Sequence, residues 1–75
     1  MDVKHVKQLS RIDRLKLKVA DFWNNRRLYS MDIYFYNEVE YENIRRYIYE
    51  RDLSIRFDNI KKYKGSAITA TLVKI

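Results

Sequence analysis

Arg14-Leu15-Lys16-Leu17-Lys18-Val19 alternates strictly between charged and apolar residues over six positions. Period two is the signature of a half-buried strand, whose successive side chains leave on opposite faces. On that reading Leu15, Leu17 and Val19 enter the core, while Arg14, Lys16 and Lys18 stand outward, roughly 6.6–7 Å apart. Asn24-Asn25 follows, and paired asparagines tolerate the positive φ of a tight hairpin turn. Residues 28–36 alternate again, with Tyr29, Met31, Ile33 and Phe35 on one face and Ser30, Asp32, Tyr34 and Tyr36 on the other. The two runs are expected to pair as an antiparallel hairpin.

From Asn37 the period changes. Asn37 with Glu40 three residues on reads as a capping-box-like helix start, with Tyr36 and Tyr41 placed as a hydrophobic staple. Glu38, Glu40 and Glu42 precede Arg45, Arg46 and Arg51, as the helix dipole favours. Tyr41, Ile44 and Ile48 form an apolar stripe at i, i+3 and i+7, flanked by Tyr47.

Leu53, Ile55 and Phe57 alternate with Ser54, Arg56 and Asp58 as a third strand, and residues 59–65 read as a loop or a short turn carrying Lys61, Lys62 and Lys64. Residues 67–75 are β-branched-rich and form a fourth strand, with either Ile68, Ala70 and Leu72 or Thr69, Thr71 and Val73 inward; the first set is preferred because it leaves the threonines on the solvated face. The expected architecture is an α+β two-layer sandwich in ββαββ order. One helix covers one face of a four-stranded, mainly antiparallel sheet, and the other face stays open. Strand order does not follow from this pattern. Residues 1–9 read either as a short helix or as an extended arm.

Seventy-five residues make one small domain, 1–75, that buries only about 60–65% of its unfolded surface. With no cysteine, neither a disulfide framework nor a Cys-based zinc site staples it, so stability rests on the core or on self-association. One Gly and no Pro leave little room for linkers. No apolar run approaches the ~20 residues that span a bilayer, and the first residues lack a signal-peptide hydrophobic stretch. A complete, cytoplasmic domain is expected. The bias toward Ile, Lys, Tyr and Asn fits an AT-rich phage or virus genome.

Charge is sorted along the chain. Residues 1–20 carry a net +4, residues 53–75 another +4, and residues 38–52, which hold all four glutamates, a net −2, within a total of +6. If the acidic helix and the basic strands form two layers, one side of the molecule is strongly basic, the electrostatic footprint of an anionic partner. Arg14, Lys16, Lys18, Tyr34 and Arg56 are expected on the open sheet face, and Lys61, Lys62 and Lys64 in a basic loop. Aromatic rings among cations suit single-stranded nucleic acid, whose bases stack while phosphates pair with Lys or Arg.

The leading expectation is therefore a non-enzymatic small basic protein that contacts DNA or RNA. The alternative is a protein-interaction module, such as a virus-encoded anti-defence inhibitor docking on the groove of a host nucleic-acid machine, which the seven tyrosines also fit. A homodimer is compatible with either. Alternating lysines also serve any solvated strand face, and edge lysines deter aggregation. No phosphate-binding glycine loop, nucleophile elbow or metal-binding His pair occurs in the sequence, so no catalytic residue, metal site or cofactor is assigned. His5 reads as a surface residue, Trp23 as a cap on the core, and Tyr29, Tyr36, Tyr41 and Tyr47 as its edge.

Overall fold

In the computed structural model, which describes residues 10–75, the first expected strand is a helix, α1 (Arg11–Asn24). The alternation over residues 14–19 is overruled by a longer pattern. Leu15, Val19 and Phe22 recur at i, i+4 and i+7 and are buried, with Ile12 half-buried one turn earlier. Leu17, which completed the alternation, is 55% exposed. Arg, Leu and Lys are good helix formers, and Ser10 supplies the N-cap, its hydroxyl accepting from the Asp13 N–H at 3.1 Å. The expected first hairpin is therefore absent. Asn25 caps α1, and its side-chain oxygen accepts from the Arg27 N–H at 3.0 Å in an Asx turn.

Strand β1 (Ser30–Phe35) keeps the expected faces, with Ile33 and Phe35 buried and Asp32 and Tyr34 exposed. Helix α2 (Glu38–Glu50) starts at the expected Asn37 cap, whose side chain accepts from the Glu40 N–H at 3.0 Å. It buries the expected Tyr41, Ile44 and Ile48. At its end Leu53 N–H reaches the Ile48 carbonyl and Asp52 N–H the Tyr49 carbonyl, both at 3.1 Å. With Asp52 at φ 57°, this is a Schellman motif that carries Asp where glycine is usual. Strands β2 (Ile55–Lys62) and β3 (Ile68–Lys74) follow as a hairpin. Gly65, at φ 84° in its turn, takes a conformation that costs other residues energy.

The sheet has three strands in the order β1-β3-β2, both pairs antiparallel, so the last strand is central. Among the described residues the fold is α+β in αβαββ order, with two helices and three strands where one helix and four strands were expected. One sheet face presents Ile33, Phe35, Ile55, Ile68, Ala70 and Leu72 to Leu15, Val19 and Phe22 of α1 and to Tyr41, Ile44 and Ile48 of α2. Fully burying such side chains contributes about 1.5–3 kcal/mol each before the entropy of ordering them. Phe35, Tyr41 and Phe57 close one part of this core, with ring centroids 5.4–6.4 Å apart.

Trp23 and Tyr47 pack against the core as expected, whereas Tyr41, expected at its edge, lies within it. Tyr29 and Tyr36 do not pack there: both are exposed, and the Arg11 guanidinium lies 5.4 Å from the Tyr36 ring centroid. Helix α1 packs in the same layer as α2, so basic and acidic segments are not divided between opposite layers. The 1–9 leader and His5 lie outside the described residues. Among the described residues, no helix is long and apolar enough to cross a membrane.

Candidate nucleic-acid interface

Register assigns the open face row by row, because residues directly opposite on antiparallel strands share a face. Tyr34 on β1 lies opposite Thr69 on β3, which lies opposite Lys61 on β2. The next row is Asp32, Thr71 and Asp58, and the third is Ser30, Val73 and Arg56. A polar face with small hydroxyl residues down its central strand leaves room above Thr69 and Thr71.

Lys61 reaches this face through a bulge. Simple alternation from Arg56 would turn Asp58 and Lys62 outward and Lys61 toward the helices. Between Asp58 and Lys61 the register slips, so that Asn59 and Ile60 together oppose Ala70. Asn59 takes φ 53°, a left-handed conformation that asparagine tolerates better than most residues. The slip reverses the phase. Lys61 now faces outward beside Thr69, and Lys62 points to the helix side, where its ammonium lies 3.4 Å from the Glu38 carboxylate.

A concavity of about 490 Å³ results, with Lys18, Asp32, Tyr34, Asn59, Lys61, Tyr63, Thr69 and Thr71 among its lining residues. The Thr69 hydroxyl donates to the Tyr63 hydroxyl at 3.5 Å, and the Thr71 hydroxyl donates to Asp32 Oδ1 at 2.9 Å. Lys18 comes from α1, which runs past the β1 edge. Arg11, Arg14 and Lys18, at i, i+3 and i+7, form one stripe that lines an adjoining depression with Tyr34. Two cations, two tyrosines and two threonine hydroxyls thus share one open hollow, and Arg14 extends its rim.

Other basic residues are engaged elsewhere. Lys16 places its ammonium 5.7 Å from the Tyr47 ring centroid, in the helix layer rather than on the open face. Arg56 does lie on the open face, in the row farthest from Tyr34, and binds Asp58 through two hydrogen bonds of 2.9 and 3.0 Å. Those bonds, reinforced by the charges, raise the Arg56 pKa and lower that of Asp58. Arg11 grips Glu40 through Nε at 2.7 Å and Nη2 at 3.3 Å. Glu40 Oε1 also accepts the Tyr36 N–H at 2.7 Å, so this cap closes onto Tyr36 instead of returning to Asn37. Burial pushes the Glu40 carboxyl up, but the Arg11 hydrogen bonds, the Tyr36 N–H and the Arg11 charge together outweigh it and hold its pKa below the ordinary value. The same bonds raise the Arg11 pKa against a weaker opposing effect of burial.

Of the eight residues expected at the site, the structure thus gathers Lys18, Tyr34 and Lys61 in one hollow with Arg14 beside them. Lys64 stands in the turn directly after Tyr63. Lys16, Arg56 and Lys62 are set apart. Tyr63, Asn59, Asp32, Thr69 and Thr71 join the hollow although the sequence pattern did not point to them as a group. The register that unites them depends on the bulge and on the central place of β3. Among the described residues, no group of three or more His, Asp or Glu could hold a metal ion. The chain matches no family model, no curated protein and no solved structure.

Proposed function

We propose that this chain is a non-enzymatic nucleic-acid-binding protein that takes a strand across the open face of its sheet. The supporting observation is the hollow in which Lys18 and Lys61 flank Tyr34 and Tyr63 over a threonine floor. Ammonium groups take phosphates without sequence preference, and tyrosine rings offer faces on which unpaired bases stack. Arg14 in the adjoining depression and Lys64, next in sequence to Tyr63, offer further cations to a backbone leaving the hollow.

The test is a titration of short labelled DNA and RNA, single- and double-stranded, at several salt concentrations. Four phosphate contacts on a single strand give a slope of log K against log salt of about −3. Lys18→Glu and Lys61→Glu should each flatten that slope and weaken binding at least about tenfold near physiological salt, with unfolding curves unchanged. Lys16→Glu, on the helix layer, should have a much smaller effect. Equal losses from Lys16 and Lys61 would refer the binding to overall charge and overturn the assignment to this face.

One observation favours a second reading, a protein-docking module of the inhibitor kind. Tyr49 is 85% exposed on the outer side of α2, where it lines a shallow depression with Glu42, Arg45 and Arg46. An exposed tyrosine among mixed charges has the composition of an interface anchor. Tyr49→Ala leaves nucleic-acid binding untouched if the sheet face is the working surface.

A further inference from the structure

Among the described residues Asp32 is the one carboxylate lining the hollow, and its place restricts what the hollow can accept. Its Oδ1 receives the Thr71 hydroxyl at 2.9 Å, and among the described residues no ion pair reaches it. Asp58, in the same cross-strand row, is held by Arg56. The hollow therefore has a polarity along the strands: Tyr34 and Lys61 share one row with Thr69, whose hydroxyl meets Tyr63, and an acceptor-only carboxylate stands in the next row. A phosphate over Asp32 would meet like charge, so what lies there must bring N–H or O–H donors.

We propose, resting on the nucleic-acid reading above, that the hollow reads one unpaired base, with a preference for guanine. The backbone lies along Lys18 and Lys61, the base turns inward beside Tyr34, and Asp32 accepts from its Watson–Crick edge. Asp32 and Tyr34 are two positions apart on β1, so their side chains stand about 7 Å apart on one face, within the span of a purine lying between phosphate and carboxylate. A carboxylate offers two acceptor oxygens, and guanine alone presents two adjacent donors, N1–H and the N2 amino group, to both. Adenine and cytosine offer one exocyclic amine beside an acceptor, and uracil or thymine one imino group between two acceptors. The ranking is guanine first and uracil or thymine last. In a duplex that edge is already paired, so single strands are required.

The experiment compares nine-nucleotide oligomers of uridine, and of thymidine in a parallel DNA series, that carry one central G, A, C or no replacement. A single guanine among pyrimidines avoids guanine self-assembly. The wild-type chain should bind the guanine oligomer at least about fivefold more tightly than the unreplaced one, as a bidentate base contact allows. Asp32→Asn and Asp32→Ala should erase that preference and leave affinity for the unreplaced oligomer equal or higher, since a repulsive charge is gone. A side chain this exposed can change without unfolding the domain.

Equal binding of all four oligomers, with Lys61→Glu still abolishing it, would overturn base reading and leave the general nucleic-acid reading standing. A guanine preference that survives Asp32→Ala would remove Asp32 from the role assigned to it and overturn the inference likewise. If no oligomer binds, both readings fall. Preference in the RNA series alone would assign RNA as the source of the base, and preference in both would place the recognition in the base edge.

Discussion

Replacing Glu40 tests the clasp that joins both helices to β1. Glu40 is 5% exposed, and its carboxylate meets Arg11 at the start of α1 and the backbone of Tyr36 just after β1. Glu40→Ala removes the acceptor of the Tyr36 N–H, which is part-buried, so the lower half of the ~1–3 kcal/mol cost of an orphaned donor applies. A lost buried methylene adds about 0.8 kcal/mol. The guanidinium of Arg11 is half-exposed and returns to water, so it adds little. The sum is about 2 kcal/mol, against a total near 4–11 kcal/mol for a chain of this length. Thermal unfolding should fall by about 8–16 °C. Glu40→Gln keeps an acceptor for Tyr36 but turns an amide N–H₂ toward Arg11 Nε–H, so about 1 kcal/mol is expected.

Chemical denaturation of the three proteins between pH 7 and 3 separates charge from shape. The folded pKa of Glu40 is lowered, so its contribution is complete above the unfolded value near ~4.3 and is lost as pH falls through the folded value. Wild type should therefore exceed Gln at pH 7 and approach it at pH 3, with Ala lowest throughout. A Gln variant as unstable as Ala, or a gap between wild type and Gln that does not narrow in acid, would refute this account of the clasp.

Two further stability predictions concern helix ends. Lys74 on β3 donates to the Asn25 carbonyl at 2.6 Å, with its ammonium 4.9 Å from the Phe22 ring centroid, and α1 has no basic residue of its own in its last turn. Lys74→Met keeps the stem and removes the cation, so a loss of about 1 kcal/mol is expected in urea unfolding, less at high salt. Asp52 holds the left-handed position after α2 with a negative charge at the negative end of the helix dipole. Asp52→Gly should raise the urea midpoint by about 0.5–1 kcal/mol of stability, an unusual gain from a glycine.

Where local pattern and tertiary demand agreed, the sequence was legible. Asn37 capped α2, Tyr41, Ile44 and Ile48 turned inward, and Ile68, Ala70 and Leu72 lined the inner face of β3, as read. Residues 14–19 misled because six residues are too few to choose between periods. Charged and apolar residues also alternate along the boundary of a helical stripe, and Leu17 lay on its solvent side. The competing signals, Ile12, Leu15, Val19 and Phe22 behind a Ser10 cap, needed a window of at least eleven residues. Lys61 and Lys62 read as one patch because a bulge has only a weak mark in sequence, here an asparagine that accepts positive φ. Exposure of Tyr34 and the threonines was legible from period two, whereas their grouping with Lys18 and Tyr63 came from the β1-β3-β2 order, which alternation does not encode.

That order also sets the width of the hollow. With β3 between them, the backbones at Tyr34 and Lys61 stand two inter-strand spacings apart, roughly 9.5 Å, over the short side chain of Thr69. Had β1 and β2 been neighbours, ring and ammonium would touch and leave no place for a base. Shape can thus be tested apart from charge. Thr69→Phe suits a central strand, adds a ring on the open face and leaves every lysine in place. It fills the gap between Tyr34 and Lys61, so affinity for single-stranded oligomers should drop about tenfold while the salt slope stays within one phosphate of wild type. Unchanged affinity would mean that ligands lie on the lysines alone and that the threonine floor has no part in binding. An increase would mean that the added ring stacks on a base that never entered the hollow.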